Sequence, residues 1–132
     1  MSDFYIDGSY NKTKASYGVA VIQANNTIVH AAKYKIKTES KQHGAILSEI
    51  RAMFEAVKLA KNDDHIFSDC ACIVSLINRD LTLKAQHTYL NSFMRQIISI
   101  KNKKNIKIFW RGRCSNTQLK TADYLAYYIS TI

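Results

Sequence analysis

Four carboxylates stand out in this chain because each lies beside residues that belong in a core. Asp7 follows the apolar run Phe4-Tyr5-Ile6 and is followed at once by Gly8 and Ser9. Asp69 closes the run His65-Ile66-Phe67-Ser68, while Glu49 and Asp123 lie inside two stretches whose apolar residues recur at helical spacing. Burying a carboxylate unpaired costs several kcal/mol, so each needs a partner or a cation. Taken alone, Asp7-Gly8 reads as a strand ending in a tight turn, an ordinary use of that pair. Four carboxylates brought together read differently. Anions within a few ångströms repel, and bound divalent cations are the usual solution. Two Mg²⁺ ions about 4 Å apart can activate a water and stabilise the leaving oxygen of an in-line phosphoryl displacement.

The elements that would position them follow from the hydrophobic periods. Phe4 to Ile6 is a strand that ends at Asp7, Tyr10 to Ser16 is a turn, and Tyr17 to Ile22 is a second strand. Asn25-Asn26 is a hairpin signal leading into a third strand, Thr27 to Ile36, with Ile28, Ala32, Tyr34 and Ile36 on alternate positions. From Ala45 to Lys61 the period becomes helical, with Ile46, Ile50, Met53, Phe54 and Val57 on one stripe. Glu49 falls on the flank of that stripe and Glu55 near the opposite, solvent face. Asn62-Asp63-Asp64 ends the helix, and a short strand, His65 to Ser68, delivers Asp69. A brief helix from Ala71 to Ile77, a loop from Asn78 to Gln86 and a longer helix from His87 to Ile100 follow, the last stopping in Lys101-Asn102-Lys103-Lys104-Asn105. Ile106 to Trp110 is a fifth strand. The last helix, Thr117 to Ser130, carries Leu119, Ala122, Leu125, Ala126 and Ile129 inward, with Asp123 on its flank. A right-handed crossover places the Asp7 and Asp69 strands parallel and adjacent, with both carboxylates at their carboxyl ends. The expected fold is one α/β domain spanning the chain: an antiparallel three-strand meander continued by parallel strands into a five-stranded mixed sheet flanked by helices.

Composition narrows the partners. The 132 residues carry 19 Lys and Arg against 10 Asp and Glu, a formal charge of +9, which favours a polyanion such as nucleic acid or an anionic membrane surface. No apolar run approaches the roughly 18–20 residues of a membrane span, and Met1-Ser2-Asp3 begins no export signal. Three cysteines, Cys70, Cys72 and Cys114, make a poor disulfide framework and fit a reducing cytoplasm. Cys70-Ala71-Cys72 lacks a second ligand pair at zinc-like spacing.

Ile6-Asp7-Gly8-Ser9, Ser48-Glu49, Phe67-Ser68-Asp69 and Thr121-Ala122-Asp123-Tyr124-Leu125-Ala126 together resemble type 1 ribonuclease H. Trp110-Arg111-Gly112-Arg113 is similar to that family's strand-to-loop pattern, and the likeness runs from Phe4 to Ile129. The resemblance implies a ribonuclease H-like fold and a monomeric nuclease that cuts the RNA strand of RNA–DNA hybrids with two Mg²⁺ ions, Mn²⁺ being a substitute. It implies that Asp7 bridges both metals, that Asp123 helps hold the one activating water, and that Glu49 and Asp69 hold the one on the leaving-group side. Gly8 and Ser9 would meet the scissile nucleotide, with Arg111 and Arg113 also toward substrate, and 2′-hydroxyl contacts would tell RNA from DNA. Proofreading-type exonucleases, with Asp-x-Glu on the first strand, and transposase-like enzymes, with a late Glu, fit less well than Asp7-Gly8-Ser9 and Asp123.

Three departures matter. Where many members carry a His after the loop Gly, this chain has Arg113, which can hold a phosphate but cannot shuttle a proton near neutral pH. His43 and His87 do not match that motif and read as surface or helix-end residues. Ala45 and Ile46 stand where well-studied members place two Asn that read base edges. The extra basic helix is absent. Lys101, Lys103, Lys104 and Lys107 are then either phosphate contacts or cations at the negative end of a helix. Tyr124, Tyr127 and Tyr128 read as packing beside the apolar stripe rather than as base-stacking groups, and Trp110 as core or rim. The alternatives to a hybrid-cutting enzyme are a binding domain of the same fold that cleaves poorly or not at all, and a same-fold nuclease acting on another nucleic acid.

Overall fold

A computed structural model describes residues 1–37, 43–84 and 87–132. Strands β1 (Asp3–Asn11), β2 (Ser16–Gln23) and β3 (Ile28–Lys35) precede helix α1 (Gly44–Leu59). Then come β4 (His65–Ser68), α2 (Ala71–Asn78), α3 (Thr88–Lys104), β5 (Lys107–Trp110), a 3₁₀ turn (Arg113–Ser115) and α4 (Thr117–Thr131). They form one sheet in the order β3-β2-β1-β4-β5, antiparallel through β1, β2 and β3 and parallel from β1 to β4 to β5. This is the mixed five-stranded α/β architecture expected from the sequence.

Strand alternation divides the sheet into two unlike faces. Phe4, Ile6, Ile66 and Ile108 are buried in the main core together with Leu47, Ile50 and Met53 of α1 and Met94 and Ile97 of α3. On the other face α4 crosses β1 and β2, coming so close that a Cβ on Gly18 would stand 2.2 Å from the Ala126 carbonyl oxygen. Beyond α4 on that face, Tyr5, Phe67 and Phe109 are in-register neighbours on three parallel strands, their rings stacked at 5.0 and 5.3 Å. Cross-strand aromatic pairs of this kind stabilise a sheet directly.

Several boundaries differ from the sequence reading. β1 does not end at Asp7: its pairing with β2 continues to Asn11 opposite Ser16, and the turn is confined to Lys12–Ala15, closed by a left-handed Ala15 at φ 49°. Ile28 faces solvent because the β2–β3 register shifts between Val21 and Ile22, which inverts the alternation at the start of β3. The lysine run does not stop α3 but forms its last turn, which Asn105 ends in the left-handed region. Glu55 is buried rather than solvated. α1 is covered by both the sheet and α3, and Glu55 accepts from Arg51 at 2.9 Å and pairs with Lys58 at 3.1 Å, while the Arg51 guanidinium lies 3.9 Å over the Tyr34 ring. The loop reading holds from Arg79 to Lys84, whereas Ala85 and Gln86 lie outside the described residues. No described helix is long and apolar enough to cross a membrane.

Candidate metal centre

The last parallel pair of β1 and β4 is Tyr5 with Phe67. Two residues further along each chain stand Asp7 and Asp69, so strand register alone brings them level at the carboxyl edge of the parallel half-sheet. Glu49 arrives from α1. That helix lies so tightly on β1 that a Cβ on Gly8 would stand 2.2 Å from the Ser48 carbonyl oxygen and 2.8 Å from the Glu49 nitrogen. The missing side chain of Gly8 is what lets the helix backbone reach the strand. As a result, one oxygen from each of Asp7, Glu49 and Asp69 lies within 4.8 Å of the others.

The electrostatics of this triad are unfavourable as it stands. Asp7 is 3% exposed, and its Oδ2 and the Oε2 of Glu49 are buried with no hydrogen-bond partner among the described residues. Desolvation pushes the Asp7 carboxyl far above the usual carboxylate range, and the neighbouring Glu49 charge pushes it further. Burial also raises Glu49, with Asp69 and Asp123 adding repulsion that hydrogen bonding to Asp7 and the Gly8 N–H only partly offsets. Asp69 rises for the same first reason, held back by the Arg113 charge. A hard divalent cation suits this donor set: oxygen ligands only, two of them buried and otherwise unsatisfied. Asp7, Glu49 and Asp69 would hold it.

Asp123 stands one step aside. Asn116 caps α4 by accepting from the Leu119 N–H at 2.8 Å, which fixes the helix start and with it the position of Asp123 on the second turn. Asp123 remains a neighbour of Asp7, but its Oδ1 accepts from Nη1 of Arg113 at 2.9 Å, and Nε of Arg113 lies 3.8 Å from Asp69 Oδ2. Three of the four expected carboxylates gather within one ligand cluster, and Asp123, which adjoins Asp7, is also paired with Arg113.

Gly8 and Ser9 line an open groove of about 520 Å³ beside the triad, together with Tyr10, Ala45, Ile46, Ser48, Glu49 and Cys70. The sequence does not place Tyr10 there, and the signal for Cys70 is its position directly after Asp69. Arg111 turns away from the triad, its guanidinium 5.2 Å over the Phe67 ring and 5.7 Å over that of Phe109. Trp110 is a rim residue, half exposed, its Nε1 donating to the Asp69 carbonyl at 3.2 Å. His43 and His87 begin α1 and α3, their rings in edge contact at 4.5 Å, as helix-end residues. The three cysteines are free thiols, and none joins a ligand cluster among the described residues.

No curated protein matches this sequence. A family model described as reverse transcriptase-like matches residues 5–128, a span that takes in the three strands of the meander, all four carboxylates and most of α4. With that match laid over a sheet of this order and an acidic triad at its carboxyl edge, the chain belongs to the reverse transcriptase-like family of ribonuclease H-like domains.

Proposed function

We propose that this domain is a metal-dependent endoribonuclease that hydrolyses the RNA strand of RNA–DNA hybrids. The observation that carries the proposal is the acidic cluster of Asp7, Glu49 and Asp69, in which Asp7 and Glu49 each hold a buried carboxylate oxygen with no hydrogen-bond partner among the described residues. Two divalent cations, Mg²⁺ with Mn²⁺ as substitute, would supply an activated water and stabilise the leaving oxygen of an in-line displacement. Asp7, a neighbour of Glu49, Asp69 and Asp123, would help hold both, with Glu49 and Asp69 for one and Asp123 for the other. Gly8 and Ser9 line the groove through which the scissile strand would pass. Arg113, permanently charged, holds Asp123 until a phosphate competes for its guanidinium, and it cannot serve as a proton carrier.

The Arg113–Asp123 pair also favours the second reading, a nucleic-acid-binding domain that cleaves weakly, because it commits the fourth carboxylate to a side chain. Cleavage of a labelled RNA–DNA hybrid in Mg²⁺ and in Mn²⁺ separates the two. Wild type is expected to cut the RNA strand, and Asp7→Asn and Asp69→Asn to lose at least about 100-fold in rate, the loss of about 2.7 kcal/mol of transition-state stabilisation. Folded wild type that cuts with neither metal would leave the binding reading standing.

A further inference from the structure

The outer face of α4 carries a feature that the acidic centre does not use. Tyr124, Tyr127 and Tyr128 are 70%, 60% and 52% exposed, contrary to the packing role their spacing suggested. The buried side of α4 is made by Leu119, Ala122, Ala126 and Ser130 instead. Counted at about 100° per residue, the three tyrosines share an arc of roughly 100° with Thr117, Lys120 and Thr131. That stripe holds no carboxylate. At its far end Lys14 donates to the Thr131 carbonyl, bringing another cation, and Lys33 donates to a main-chain oxygen of Ile132. On the same helix Tyr124 directly follows Asp123, the neighbour of Asp7.

Ring availability distinguishes this stripe from the other aromatic surface. Tyr5, Phe67 and Phe109 stack on one another and offer mostly edges. None of the three α4 tyrosines is in a ring–ring or cation–ring contact among the described residues, and each is more than half exposed. From Tyr124 the rise along the helix is about 4.5 Å to Tyr127 and about 6 Å to Tyr128, wider than the 3.4 Å step of a stacked duplex strand. Bases inside a duplex are already stacked and cannot present both faces, whereas unstacked bases of a single strand can.

We infer that this stripe is a track for single-stranded nucleic acid, on which successive bases stack. The inference rests on the nucleic-acid reading of the domain and deepens it: the substrate would be a hybrid with a single-stranded extension.

Fluorescence anisotropy of a labelled oligothymidylate tests it, with the same strand in a blunt duplex alongside and EDTA present throughout. Nothing is cleaved under these conditions, so a protein without nuclease activity still answers. Tyr124→Ala, and Tyr127→Ala with Tyr128→Ala, should each weaken single-strand binding about 5-fold or more, as loss of base–aromatic stacking does. Tyr124→Phe should bind as wild type, because it keeps the ring. The substitutions are at exposed positions, and circular dichroism checks the fold. Unchanged binding by the alanine variants, or a loss in Tyr124→Phe equal to that in Tyr124→Ala, would overturn the proposal. So would a wild-type dimer in sedimentation that Tyr124→Ala dissociates, which would give the stripe to a second copy of the chain.

Discussion

Asp7 has two opposed jobs, and they are separable by titration. Its carboxyl is pushed above the usual range, first by burial and then by the Glu49 charge. An acid whose folded-state pKa exceeds its unfolded value binds more protons in the folded state, so stability falls as pH rises between the two values. Metal-free protein should therefore melt lower at pH 8 than at pH 5, and added Mg²⁺ or Mn²⁺ should reverse the loss. Asp7→Asn should flatten that dependence and raise stability at pH 8 by about 1–3 kcal/mol while removing activity. Thermal unfolding in EDTA at the two pH values decides it, and a variant no more stable than wild type at pH 8 would contradict the electrostatic account. Glu55 shows the opposite case. Burial would raise it, but hydrogen bonds from Arg51 and Lys58 win and hold it low, so its contribution is present above the ordinary Glu range and lost in acid.

At the scale of elements, α3 and α1 are joined by a lysine that the sequence left open between two uses. Nζ of Lys104 donates to the carbonyls of Val57, Lys58 and Ala60 at 2.9, 3.1 and 2.7 Å, satisfying the end of α1. Lys101 is buried and donates to the Ile77 carbonyl at 3.2 Å. Lys104→Met should cost about 1–2 kcal/mol in denaturant unfolding without altering nucleic-acid affinity. Weaker binding at unchanged stability would return this lysine to phosphate contact. Which elements exist was readable from period alone, because β1 and β4 each bury one clear face and the apolar stripe of α1 recurs at helical spacing. The level placement of Asp7 and Asp69 was readable too, from crossover handedness. What stayed hidden needed tertiary geometry. A helical wheel assigns one buried arc, but α1 is covered from two sides, which buries Glu55. The turn signal at Asp7-Gly8 is overridden by eight continuous β1–β2 pairs. Nothing local announces that Arg113 will fold back onto Asp123 ten residues later.

For the molecule as a whole, a charge of +9 surrounds a centre made of anions. In the proposed reaction, long-range attraction to a polyanion would meet local repulsion at the scissile phosphate until a cation bound the triad. Binding to hybrid should weaken linearly in log–log plots against salt, with a slope of about −4 if some five phosphates are contacted. Anisotropy across a salt series measures it, and a flat response would show that the net charge makes little contact with substrate.

The contact between β1 and α1 has a further consequence, in heredity rather than energy. Backbone meets backbone at Gly8, with the Ser48 carbonyl standing where a Cβ would be. Every single-nucleotide change that replaces a glycine adds a Cβ, so position 8 has no conservative neighbour to drift through. Whatever varies around it, a lineage that replaces this residue moves Glu49 away from Asp7 in one step.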